Sequence, residues 1–246
     1  MNLNEYKTQK ALNIMKRLMS FGTKIYESYQ PQIRLEDIVD LLKDFNNPSQ
    51  VGNFCDKTFG KMLSYGSSRA VYRINDEYVI KVAYNEKGRQ QNKFEYDLYR
   101  QTRSPLLTRV VAAGGNENEI FWIISEAVLE VSNEDFLKQF NLNFEEFKSI
   151  MTDVFNNSFD MDYEINMTDF LKENLDKYKK IFPNANFNSI FNFFKEIDPL
   201  IDIFHLDDQE IQTQISYGLA LRNDKPYIVL LDSGLSTEIR NKYYNT

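Results

Sequence analysis

Cysteine and histidine are nearly missing from this chain: Cys55 and His205 stand alone among 246 residues. One thiol cannot close an internal disulfide, and one imidazole leaves little from which to build a metal site. Zinc fingers, papain-type and serine-triad hydrolases and histidine-ligated metalloenzymes are therefore close to excluded. Long apolar runs are missing too. No stretch approaches the roughly 18 uninterrupted apolar residues that a spanning helix requires, mean hydropathy is -0.50, and the first residues lack a basic-then-apolar leader pattern. The expectation is a soluble protein of a reducing compartment, cytoplasmic (host cytoplasm, or the virion if viral), with no membrane partner.

What is present suits a folded core. Hydrophobic residues make up 42% of the chain and charged residues 26%, and the length suffices for one large domain or two small ones. The net charge of -7 is uneven: residues 130–211 carry 7 basic against 18 acidic groups, whereas residues 1–60 and 61–129 are nearly balanced. Nucleic-acid binding needs clustered Lys and Arg, so no nucleic-acid partner is expected. The acidic stretch reads as solvated helix faces.

Periodicity divides the chain into three: an N-terminal helical extension over 1–60, a sheet lobe over 61–129, and a helical lobe with a closing hairpin over 130–246. Apolar positions 11, 14, 15, 18 and 19 follow helical spacing. A second helix fits 35–43, closed by Asn46-Asn47-Pro48. From Lys61 the period falls to two, with short strands on either side of Gly66-Ser67-Ser68, a third strand over 78–84, a loop and polar helix over 85–102, and two more strands over 109–113 and 120–124. Residues 130–205 are helical again, with a break at Phe182-Pro183-Asn184. A hairpin over 216–232, turning at 222–226, closes the pattern.

This order of strands, with a Gly-Ser turn after the first and a lysine in the third, resembles the small lobe of the protein-kinase-like fold. The fold class is α+β. Where that family has its phosphate-covering G-x-G-x-x-G-x-V, this chain reads Ser64-Tyr65-Gly66-Ser67-Ser68-Arg69-Ala70-Val71, keeping only the middle glycine. The family's V-A-I-K strand is matched by Tyr78-Val79-Ile80-Lys81, with Val79 in place of the small alanine that packs on adenine. The resemblance implies that Gly66, Ser67, Ser68 and Lys81 contact the phosphates of ATP. It implies further that Glu95, fourteen residues on, pairs with Lys81, with Asp97 as the competing acid. Ser125-Glu126-Ala127-Val128 resembles the hinge, implying that Glu126 and Val128 meet the base.

The second lobe departs further from the family. Asp232-Ser233-Gly234 stands where the metal-binding D-F-G belongs, so Asp232, with Ser216 in the place of the family's asparagine, is the implied Mg²⁺ site. Counting back from Ser216 puts Ile211 where the catalytic aspartate is expected, and Asp207 and Asp208 lie three or four residues out of register. They are the candidate catalytic carboxylates. Twelve residues follow Gly234, too few for the family's activation segment. The chain resembles small phage-type kinase-like proteins with degenerate motifs. The resemblance implies a catalytically impaired pseudokinase acting by nucleotide or protein-partner binding. The alternatives are an active small ATP-dependent phosphotransferase, and a non-catalytic interaction module such as a viral assembly component. Exposed aromatics would favour the last.

Overall fold

A computed structural model of the protein describes residues 34–116, 118–158, 166–206, 216–223, 225–231 and 233–244. The helix expected over the first 19 residues lies outside them. Five strands, β1 (Ser64–Tyr65), β2 (Arg69–Arg73), β3 (Tyr78–Ala83), β4 (Val110–Gly115) and β5 (Ile120–Glu126), form one antiparallel sheet in the order β1-β2-β3-β5-β4. Register sets Val71 opposite Lys81, Lys81 opposite Ile123, and Val79 opposite Ser125. Side chains alternate between faces, so Ala70, Tyr72, Ile80, Val82, Trp122 and Ile124 share one buried apolar face, and Arg69 and Lys81 turn to the other. Gly114 makes room on the apolar face: a Cβ there would come within 2.3 Å of the Trp122 ring.

Each face is covered by helix. On the apolar face lie α1 (Leu35–Leu42) and α2 (Pro48–Thr58), whose Ile38, Leu41, Leu42, Val51, Phe54 and Cys55 share a core with the sheet. Each such Leu or Phe contributes roughly 1.5–3 kcal/mol by leaving water. The Asn46-Asn47-Pro48 signal, read as a helix end, also opens a helix. Asn47 accepts a hydrogen bond from Gln50 N at 3.0 Å, and Pro48 occupies the first turn, where a missing N–H costs nothing. Tyr72 fastens the arrangement by donating to Asp56 Oδ1 at 2.8 Å. Helix α3 (Glu86–Thr102) covers the polar face. Asn85 caps it, accepting from Gly88 N at 2.9 Å, so the loop expected after β3 is only Tyr84 and the capping residue.

The rest is helical apart from one small sheet. Helices α4 (Asn133–Phe140), α5 (Phe144–Ser158), α6 (Met167–Glu173), α7 (Leu175–Ile181) and α8 (Phe187–Asp202) precede the hairpin β7 (Tyr217–Arg222) and β8 (Lys225–Leu230), to which β6 (Leu129–Glu130) adds a third strand in the order β6-β7-β8. Lys225 and Pro226, read as turn residues, belong to β8; Arg222 pairs with Lys225, and Asn223 has a φ of 52°. Pro226 is tolerated because β8 is an edge strand. A short helix, α9 (Thr237–Tyr243), ends the described chain.

Phenylalanine fills the helical core. Phe140 and Phe147 stack at 4.4 Å, while Phe136 meets Phe144 at 5.1 Å and Phe147 meets Phe193 at 5.0 Å, both steeply tilted as ring quadrupoles favour. None of the described phenylalanines is exposed, so phenylalanine goes into packing, whereas Tyr65, Tyr84, Tyr227 and Tyr244 are exposed. The chain is α+β: the antiparallel sheet carries on its polar face the one helix, α3, that the kinase-like resemblance implies, and α1 and α2 on its apolar face. Among the described residues no helix is long and apolar enough to cross a membrane.

Candidate functional site

Lys81 and Glu95 reach each other because β3 turns its lysine to the polar face and α3 presents its third-turn glutamate to the same place. Lys81 Nζ donates to Glu95 Oε1 at 2.7 Å and to Leu231 O at 3.0 Å, which uses two of the ammonium's three donors. Both side chains are buried, at 7% and 1% exposure. The Leu231 contact joins β3 to the residue just before Asp232, across 150 positions of sequence. Asp97, the competing acid, faces outward and accepts from Lys93 at 2.7 Å.

Glu95 has a second cation. Arg69 Nη1 donates to Glu95 Oε2 at 2.8 Å and to Asn92 Oδ1 at 3.2 Å, and Arg69 is buried. A carboxylate held by two charged donors is worth more than a surface pair, and removing it leaves buried charge uncompensated. Nothing in the motif pointed to Arg69, which stands where the family's third glycine would. Its place in period with Lys81 on the polar face of β2 was the available signal. Gly234 belongs to the same contact, since a Cβ there would lie 2.9 Å from both terminal nitrogens of Arg69.

The turn at 66–68 folds down onto the start of α3. The Tyr84 hydroxyl donates to Gly66 O. Asn85 Nδ2 donates to Ser67 O at 3.0 Å, Tyr84 N to Ser68 O at 3.2 Å, and Lys87 Nζ to Ser67 Oγ at 2.7 Å. Ser68 is buried, its hydroxyl given to Gln91 Oε1. Helix α3 carries a glycine at the contact because a Cβ at Gly88 would lie 2.2 Å from Ser68 O. Of the three turn residues proposed for phosphate, Gly66 and Ser67 are exposed and Ser68 is turned inward.

At the hinge the side chain of Glu126 points to the hairpin. It accepts from Arg109 N at 2.8 Å, from Arg222 Nε at 3.2 Å and from Arg222 Nη2. Arg222 also donates to Pro105 O at 2.6 Å and Leu107 O at 2.7 Å. The Glu126 carboxylate is thus committed to a buried junction between the sheet and the hairpin. Val128 packs on Gly218, where a Cβ would come within 2.6 Å of Val128 Cγ2. Ser216 is buried, and its carbonyl accepts from Leu231 N at 2.8 Å, which sets it across from the chain leading into Asp232.

Asp232, Asp207, Asp208 and Ile211 lie outside the described residues. Among the described residues no group of three or more His, Cys, Asp or Glu is gathered to hold a metal ion. For a nucleotide the donors at hand are the Lys81 ammonium and the Ser67 hydroxyl, which suit phosphate oxygens.

No protein-family model and no characterised protein sequence matches the chain. Among solved structures, it is similar to the streptomycin–ATP–APH(2")-IIa ternary complex, with 17% identity over 77% of this chain and 71% of that one and a TM-score of 0.33. It is also similar to the ADP-bound aminoglycoside phosphotransferase APH(2'')-Ib, with 15% identity over 76% and 70% of the two chains and a TM-score of 0.31.

Proposed function

We propose that this protein is a kinase-like protein whose phosphoryl transfer is impaired, and that it acts by binding a nucleotide, a protein partner or both. One observation carries the reading: a buried lysine, held by the glutamate of the covering helix, meets the strand end that leads into Asp232-Ser233-Gly234. A purely structural scaffold has no physical need to keep a buried ammonium there, because well-packed apolar residues would serve as well or better. Impairment is supported by Ile211 and Ser216 standing where the family's catalytic aspartate and metal-binding asparagine belong.

The test is thermal unfolding with and without ATP and Mg²⁺. Ligand at about 100 times its dissociation constant stabilises the fold by roughly 2.7 kcal/mol, a melting shift on the order of 5–10 °C for a chain of this size. Lys81→Ala should lose the shift. Labelled γ-phosphate should not move to the protein or to small acceptors. Transfer that vanishes in Asp207→Asn or Asp208→Asn would replace the impaired reading with an active phosphotransferase. The absence of a shift with every nucleotide tried would refute both.

A further inference from the structure

The chain after β8 turns back onto the sheet lobe. Ser236 caps α9 by accepting from Ile239 N at 3.2 Å, and the far end of this helix meets the first two turns of α3. Lys242 Nζ donates to Glu86 Oε1 at 3.1 Å, and the Tyr243 hydroxyl donates to the same oxygen at 2.8 Å. Tyr243 and Lys242 hold the Glu86 carboxyl below its ordinary range, and Tyr243 and Glu86 hold the Lys242 ammonium above its own. The Lys87 ammonium stands 4.2 Å from the centre of the Tyr244 ring, within cation–π reach. Gln91 Nε2 approaches the Tyr244 hydroxyl at 3.5 Å.

Lys87 and Gln91 have a second duty. They are the two α3 side chains that hold Ser67 and Ser68 of the turn. One pair of side chains therefore grips the turn and the C-terminal segment together. The coupling recurs at the root of α9, where Gly234 packs against Arg69 at the end of the turn. Lys242, Glu86 and Tyr244 are exposed. Contacts between exposed groups are individually weak, so such a set can open and close without unfolding the core.

We propose that α9 and Tyr244 form a latch that keeps the turn at 66–68 down on α3 and restricts the approach of a nucleotide to Lys81. The nucleotide is taken from the function proposed above; the latch itself rests on the contacts alone. If about nine-tenths of molecules are latched, releasing the latch raises apparent affinity about tenfold, because affinity scales with the competent fraction.

The experiment uses the full chain and the double variant Lys242→Ala/Tyr244→Ala. Amide hydrogen exchange over residues 66–69 reports the turn, and calorimetric titration with ATP reports binding. The double variant should exchange about tenfold faster at the turn and bind ATP about tenfold more tightly. Tyr244→Phe keeps the ring over Lys87 but loses the Gln91 contact, so its turn exchange should fall between those of the parent and the double variant. Unchanged turn exchange in the double variant overturns the latch. Faster exchange spread across the whole sheet also overturns it, because α9 would then be part of the core. Faster turn exchange with unchanged ATP affinity overturns the restriction of access. Faster turn exchange with no ATP binding in either protein refutes the nucleotide reading and leaves the latch standing.

Discussion

Arg222→Ala should be among the most damaging single changes in the hairpin. The side chain is 6% exposed and closes four bonds from β7: two to Glu126 and one each to the carbonyls of Pro105 and Leu107. Truncation leaves the Glu126 carboxylate, itself only 13% exposed, with the Arg109 amide alone, and leaves two carbonyls short of a donor. Breaking a buried pair by removing one partner costs about 3–5 kcal/mol. At roughly 2–4 °C per kcal/mol for a chain of this length, the melting temperature should fall on the order of 10 °C. Trp122, the sole tryptophan and 1% exposed, provides the fluorescence probe for urea unfolding. The double replacement Arg222→Met/Glu126→Leu removes both charges and should recover the part of the loss that comes from the unpaired carboxylate, though not that from the two carbonyls. An Arg222→Ala cost below about 1 kcal/mol, typical of a solvent-exposed pair, would refute the reasoning. So would strict additivity of the two single replacements, which would mean no coupling across the junction.

Three further outcomes follow from the packing. Gly88→Ala puts a Cβ 2.2 Å from Ser68 O, so it should destabilise by about 1–3 kcal/mol and loosen the turn, seen as faster amide exchange at residues 66–68. Asp198 accepts from Met167 N and Thr168 N, each at 3.1 Å, at the start of α6; Asp198→Ala should cost about 1–2 kcal/mol, as loss of a helix cap does, measured by chemical denaturation. Lys177 and Tyr178 hold the Asp153 carboxyl below its ordinary 3.8. The stability it adds is full above that value and is lost as pH falls through the lower folded value. An acid titration of melting temperature should therefore be shallower below about pH 4 in Asp153→Asn than in the parent.

Local periodicity determined the five strands of the larger sheet on its own, while β6 (Leu129–Glu130) went unread. A period of two from 61 to 84, and again over 109–113 and 120–124, reports which side chains share a face, and that depends only on neighbouring residues. The pairing of Lys81 with Glu95 was legible only through the kinase-like resemblance, because periodicity by itself left Asp97 as an equal competitor. Helix α2 carried a readable capping signal in Asn47-Pro48, but it was obscured by a reading of the same residues as a helix end. Which partner a charged side chain takes had no local trace. Arg69 gains its meaning only from Glu95, which lies 26 residues away, and Glu126 faces Arg222 across 96 residues. Lys81 meets Leu231 across 150, and Tyr243 meets Glu86 across 157. A charged side chain in a sequence has no marked partner. Burial selects one, because an ammonium, guanidinium or carboxylate taken from water is tolerated only where an opposite charge or a carbonyl receives it. That choice is made by the packing of distant segments, and here the tertiary structure alone made it.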